Sequence, residues 1–136
     1  MSADNANLVK KGYDDFRNGD LESLLSLYSE DIEWILPEME KVPVSGKRKG
    51  LDQVRQFFKD LDENQEALSF EPREFIAQGD RVVVLGRYEW RIKATGRNFS
   101  SDFAHVYRVK NGKITSMQEY TDTAAAVNAN QKAMTA

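Results

Sequence analysis

His105 stands fourteen residues before Glu119, and around each of them apolar and polar residues alternate. Phe103, His105, Tyr107 and Val109 share one face of a predicted strand, and Thr115, Met117, Glu119 and Thr121 share one face of the next. Asn111-Gly112 lies between them, and both residues tolerate the positive φ that a two-residue hairpin demands, so the strands are neighbours. With both sets facing the interior, an imidazole and a carboxylate meet among apolar side chains. A carboxylate withdrawn from water is a candidate general base, able to take a proton α to a carbonyl or to activate water, while an adjacent imidazole polarises the substrate or orients the base. The same two groups can instead satisfy each other inside a core and do no chemistry. Both readings follow from the pattern.

The predicted strand Arg81–Lys93 offers a second set. Val82, Val84, Gly86, Tyr88, Trp90 and Ile92 form an apolar face, and Arg87, Glu89 and Arg91 lie on the other. The simplest arrangement turns the apolar face inward and leaves the charges to solvent or to a partner subunit. A bulge would exchange the faces and bring Arg87 and Glu89 beside Glu119, an Arg flanked by two carboxylates that could shuttle protons. Trp34, Leu36, Tyr88, Trp90, Phe103, Tyr107 and Met117 are the expected walls of a pocket for a small flat or cyclic molecule. Lys47-Arg48-Lys49 could attract an anion at the start of a helix, although a run of that length is ordinarily a solvated loop. Gly46 and Gly50 lack P-loop spacing and the following Lys-Ser/Thr, so no nucleotide fingerprint is present.

Composition narrows the chemistry further. The 136 residues include one His and no Cys, which removes thiol nucleophiles, disulfides, thiolate zinc sites and any multi-histidine centre; no metal and no cofactor are expected. Nineteen basic against 22 acidic residues give a formal net charge of −3, which disfavours nonspecific attraction to nucleic acid or to an anionic membrane. Met1-Ser2-Ala3-Asp4-Asn5 is polar, and no apolar run approaches the roughly 20 residues of a spanning helix, so a cytoplasmic protein is expected.

The elements that must position these groups are legible in outline. The length suits one domain, 1–136, large enough to bury about two thirds of its unfolded surface. Val9, Tyr13 and Phe16 recur at helical spacing up to Asn18-Gly19, and Asp20 then caps a second helix with Leu21, Leu24, Leu25 and Tyr28 on one stripe. Ile32, Trp34 and Leu36 suggest a short strand ended by Pro37, and Glu38 to Gly50 reads as turns. Leu51, Val54, Phe58 and Leu61 mark a third helix, widened by Phe57. Four strands follow, near Leu68–Gln78, Arg81–Lys93, Asn98–Lys110 and Lys113–Thr121, punctuated by Gly79-Asp80, Thr95-Gly96 and Asn111-Gly112. Residues 122–136 form a tail that begins as a short helix and frays. Helices first and a meander afterwards predict an α+β domain with helices packed on one face of a curved, mainly antiparallel sheet.

Five segments, Phe16-Arg17-Asn18-Gly19-Asp20-Leu21, Gly50-Leu51-Asp52-Gln53-Val54, Phe103-Ala104-His105-Val106-Tyr107-Arg108-Val109, Asn111-Gly112-Lys113-Ile114 and Glu119-Tyr120-Thr121-Asp122-Thr123, resemble in content and order the SnoaL-like and ketosteroid-isomerase-related branch of the nuclear-transport-factor-2-like superfamily. The resemblance spans nearly the whole chain. It implies a cone of three N-terminal helices wrapped by a strongly curved sheet, a deep pocket at the open end, and a homodimer through the outer sheet face. Under this resemblance the isomerase's basic aspartate falls on Leu36, its oxyanion-hole tyrosine on Gly12 with Tyr13 adjacent, and its second oxyanion donor on His105. Steroid isomerisation by that set is therefore not expected. SnoaL-like polyketide cyclases pair a histidine with an acidic base at the spacing of His105 and Glu119, although their base is an aspartate. Limonene-epoxide-hydrolase-like members use an Arg-Asp-Asp set that matches Arg87, Glu89 and Glu119 with both aspartates replaced, while their water-positioning Tyr and Asn fall on Glu33 and Ile35. The resulting expectation is a cofactor-independent acid-base isomerase, cyclase or hydrolase with Glu119 as base and His105 as polariser. The alternative is a noncatalytic module for binding a small ligand or for dimerisation.

Overall fold

Helix α1 (Ser2–Arg17) turns Val9, Gly12, Tyr13 and Asp15 inward and stops at Asn18-Gly19, where Gly19 takes φ +70°. Asp20 caps helix α2 (Leu21–Ser26) by accepting from the Ser23 backbone N–H at 3.1 Å. The buried Asp15 carboxylate ties the two helices together, receiving Lys11 at 3.0 Å and the Ser23 hydroxyl at 2.8 Å. This computed structural model describes residues 2–131. Tyr28 corrects the sequence reading: α2 ends at Ser26, and Tyr28 opens strand β1 (Tyr28–Ile35) instead of completing the helical stripe. Its burial is the same in either role, which is why spacing misassigned it.

Strand β2 (Lys47–Lys49) was also hidden in the sequence, because three consecutive basic residues show no alternation. It pairs antiparallel with Glu33 to Ile35. Arg48 offers no anion site there: its guanidinium donates to the Val44 and Ser45 carbonyls and lies 5.0 Å from the Phe57 ring centre. Helix α3 (Leu51–Asn64) buries Val54, Phe57 and Leu61. Strands β3 (Gln65–Gln78), β4 (Arg81–Ile92), β5 (Asn98–Lys110) and β6 (Lys113–Thr121) make the meander, β3 beginning three residues earlier than expected. The sheet order is β2-β1-β6-β5-β4-β3, antiparallel throughout except where β1 lies parallel to β6.

Helices α1 and α3 lie across one face of this sheet, and the core fills the space between. Curvature comes from bulges in β3 at Ala67/Ser69 and Pro72/Glu74 and from a close approach at Gly86. Helix α4 (Thr123–Asn130), capped by Asp122, buries Ala126 and Ala129 and takes a 2.7 Å hydrogen bond from the Thr95 hydroxyl to the Ala129 carbonyl. The predicted α+β cone is therefore built from four helices, the fourth made from the start of the tail; residues 132–136 lie outside the described residues. Among the described residues, no helix is long and apolar enough to cross a membrane.

The turn at Asn111-Gly112 forms as expected, with φ of +53° and +76°. Beyond it the parity breaks. Arg108 pairs with Ser116 but Val109 with Ile114, so Thr115 is an extra residue and Ile114 swings inward to 1% exposure. Ile114 thereby joins the core, while Val106 and Tyr120 lie on the outer face, half-buried and exposed respectively.

A Cβ at position 86 would meet the Glu71 carbonyl at 2.4 Å and the Phe103 ring at 2.5 Å. Gly86→Ala is therefore expected to lose about 1–3 kcal/mol in urea unfolding, with the strand pair β3/β4 losing amide-exchange protection first.

Candidate functional site

Between helices and sheet lies a cavity of about 90 Å³. That is well above the roughly 10–15 Å³ that one water requires. Its walls are mostly aromatic and aliphatic because the inward faces of β1, β4, β5 and β6 and the apolar stripes of α1 and α3 converge on it. Polar groups gather at one place. His105 and Glu119 face each other across the β5/β6 ladder, and Nε2 lies 2.8 Å from Oε2, with both side chains nearly excluded from solvent at 7% and 11% exposure.

The opposite ring nitrogen meets α1. The Tyr13 hydroxyl lies 2.6 Å from His105 Nδ1, and the Tyr107 hydroxyl donates to Tyr13 at 2.9 Å. A neutral imidazole that gives its Nε2–H to the Glu119 carboxylate accepts at Nδ1, so Tyr107 donates to Tyr13 and Tyr13 to Nδ1. The relay thus holds the imidazole in the Nε2–H tautomer and delivers its N–H to one carboxylate oxygen. His105 Nε2 bonds Glu119 Oε2, the Tyr88 phenol also stands close to the same carboxylate, and Glu119 lines the cavity.

A second, shorter chain flanks the first. Tyr88 donates to the Thr121 hydroxyl at 2.8 Å, and Thr121 donates to Ser101 at 3.0 Å. Burial pushes the phenols of Tyr13, Tyr28, Tyr88 and Tyr107 well above the ordinary tyrosine range. After burial, the negative charge of Glu119 raises Tyr88 further, and neighbouring Tyr107 raises Tyr13 and Tyr28. Desolvation disfavours phenolate here, so the hydroxyls remain donors.

Of the residues expected from sequence, Trp34, Leu36, Tyr88, Trp90, Tyr107, Met117, His105 and Glu119 all line the cavity. Phe103 does not. It packs behind the site, with its ring stacked 4.3 Å from His105 and 5.1 Å from Tyr88 by centroid, held there because Gly86 leaves it room. Arg87 and Glu89 are not brought to Glu119 either: β4 keeps its apolar face inward, and Arg87 reaches outward to Asp102 and Ser100 at 3.1 Å. Tyr13 and Gln65 were missed as site residues. Tyr13 carried a usable signal, since a tyrosine on an otherwise apolar helical stripe must find a partner for its hydroxyl. The Trp34 indole N–H is a buried donor without an acceptor.

The tyrosines generate a pH prediction. Their folded pKa values exceed the unfolded value of about 10, so the folded state retains protons that the unfolded chain releases, and stability present below about pH 10 declines as pH rises beyond it. In an alkaline titration, four of the five tyrosines are expected to develop tyrosinate absorbance only in step with loss of near-ultraviolet circular dichroism.

Comparison with known proteins places this geometry in a family. The family model described as the SnoaL-like domain matches residues 9–117. A nuclear-transport-factor-2-like protein of Burkholderia xenovorans LB400 is 36% identical, with a TM-score of 0.88 over 96% of this chain and 98% of that one. TerC, whose structure was determined in co-crystals with polyporic acid, is 31% identical, with a TM-score of 0.77 over 93% of this chain and 98% of that one. A Mesorhizobium loti protein named after SnoaL-like polyketide cyclases is 25% identical, with a TM-score of 0.71 over 85% of this chain and 97% of that one. No curated protein sequence matches significantly. With four fifths of its length covered by the family model and the whole cone reproduced in these structures, the chain belongs to the SnoaL-like family of the nuclear-transport-factor-2-like fold.

Proposed function

We propose that the cavity binds a small, largely apolar cyclic molecule and that Glu119 acts on it as a general base, without a cofactor. One observation carries this reading: Glu119 is held by His105 through Oε2, with the Tyr88 phenol nearby, and its side chain lines an apolar cavity. A carboxylate anchored by an imidazole at the wall of an apolar cavity is oriented for proton abstraction. His105 orients this base and does not polarise the substrate, because both of its nitrogens are engaged. The outward direction of Arg87 and Glu89 favours abstraction α to a carbonyl, as in an isomerase or cyclase, over the epoxide-hydrolase arrangement. The relative crystallised with polyporic acid supports a cyclic organic ligand.

A binding role without turnover is the second reading. It is favoured by the relay Tyr107–Tyr13–His105–Glu119, which satisfies its own hydrogen bonds. Hydrogen–deuterium exchange at the α-carbon of 2-tetralone, followed by NMR, separates the two. Exchange faster than buffer is expected with the native protein, and a loss of about 10²-fold or more with Glu119→Gln. Equal exchange by Glu119→Gln and the native protein would remove the acid-base reading and leave the binding one.

We further propose that two copies pair through the outer sheet face. Ile76, Val83 and Val106 align across β3, β4 and β5 on that face, with Leu85, Ala104 and Tyr120 alongside, so an apolar strip crosses the sheet. Light scattering at micromolar concentration is expected to give twice the chain mass; the mass of one chain would refute the pairing.

A further inference from the structure

Proton abstraction by Glu119 leaves a second requirement unmet. As the α-proton passes to the carboxylate, the C–H electron pair moves into the enolate and negative charge gathers on the carbonyl oxygen, which then needs a hydrogen-bond donor. His105 is not that donor, because both of its nitrogens are engaged. The phenols close enough to Glu119 to feel its charge are Tyr13, Tyr88 and Tyr107, and their protons go to His105, Thr121 and Tyr13 respectively.

Two buried side-chain polar atoms have no hydrogen-bond partner among the described residues, Ser29 Oγ and Trp34 Nε1. Ser29 is not part of the cavity wall, whereas Trp34 is. The indole packs against Phe57 and Phe58 at ring-centre distances of 5.8 and 5.5 Å, and neither phenyl ring carries a lone pair to receive its N–H. A buried N–H without an acceptor is costly, and an acceptor brought by an occupant of the cavity would relieve that cost.

Register places this donor near the base. Strand β6 lies between β5 and β1, so His105 flanks Glu119 on one side and β1 runs along the other. Trp34 pairs with Met117, and Trp34, Met117 and Glu119 all line the cavity. One strand spacing across and two residues along β6 separate the backbones of Trp34 and Glu119 by about 8 Å. That separation suits a donor and a base acting on the oxygen and the α-carbon of one small molecule.

We infer that the Trp34 indole N–H is the electrophilic donor of the site, hydrogen-bonding the carbonyl oxygen of a compact cyclic ketone whose α-carbon lies at Glu119. This inference rests on the cavity being a ligand site with Glu119 as its base. It makes Trp34 a catalytic residue and the substrate class an uncharged ketone with an enolisable position.

The test uses cyclopentanone and methylenecyclopentane, single rings in keeping with a cavity of about 90 Å³, which differ only in carrying C=O or C=CH2. The chain has two Trp and one His, so a proton–nitrogen correlation spectrum holds two indole signals, and the His105 ring protons report occupancy without ambiguity. The Trp34 signal is the one that persists in Trp90→Phe. Both probes are expected to move the His105 signals, and only cyclopentanone to move the Trp34 indole proton downfield. In Trp34→Phe the ratio of the two affinities is expected to shift roughly two- to twelvefold against the ketone, the range for one neutral hydrogen bond. Hydrogen–deuterium exchange at the α-carbon of cyclopentanone is expected to slow about 10²- to 10³-fold in that variant. If the variant folds poorly, the native spectrum decides alone. Equal responses of the Trp34 indole proton to both probes, with His105 moved by both, or an unchanged affinity ratio in Trp34→Phe, overturn the assignment of Trp34 and leave the site at Glu119 standing. Silence of His105 toward both probes, or no exchange by the native protein above buffer, overturns the reading of the site itself and this one with it.

Discussion

A carboxylate leaves water only when a donor of fixed direction meets it, and the β5/β6 hairpin satisfies that condition for Glu119. The turn at Asn111-Gly112 pairs Val109 with Ile114, the bulge at Thr115 then shifts the register by one residue so that His105 stands opposite Glu119, and the pleat turns both inward. The imidazole would be free to rotate or change tautomer without a second contact. Tyr13 supplies it from α1, and Tyr107 secures Tyr13. The helix–sheet packing is thus coupled to the chemistry of one carboxylate: a shift of α1 along the sheet would break the bond that decides which nitrogen of His105 carries its proton.

The surrounding aromatic packing follows from this demand. Phe103 stacks behind the imidazole, and Gly86 is the empty position that lets it do so. Tyr88 donates to Thr121 and stands outside the relay, close to the Glu119 carboxylate. Large rings on a strongly curved sheet cannot interdigitate completely with helices, and the residual space is the cavity. Natural cores are close-packed, so a cavity bordered by a carboxylate is a departure from full packing.

Much of this was readable along the chain. Strand parity on β5, the first residue of the last strand, the hairpin at Asn111-Gly112 and the caps at Gly19 and Asp20 depend on local periodicity and on φ preferences, and they formed as expected. Errors arose where two structures bury the same residue. Tyr28 fits a helical stripe and a strand start equally well; Ile114 changed face because a bulge at Thr115 is invisible to alternation; β2 has no pattern apart from its pairing with β1.

The sequence by itself limited any catalysis to acid-base chemistry and put His105 and Glu119 on neighbouring strands, because composition removes thiols and multi-histidine centres and hairpin pairing is local; that the two share a face rests on the bulge at Thr115. Only the tertiary structure decided which atoms meet. That Tyr13 from the first helix bonds a histidine 92 residues away, and that Arg87 and Glu89 point elsewhere, are outcomes of long-range packing. Such contacts are fixed by how a curved sheet and three helical stripes share one interior, and no local spacing along the chain encodes that distance.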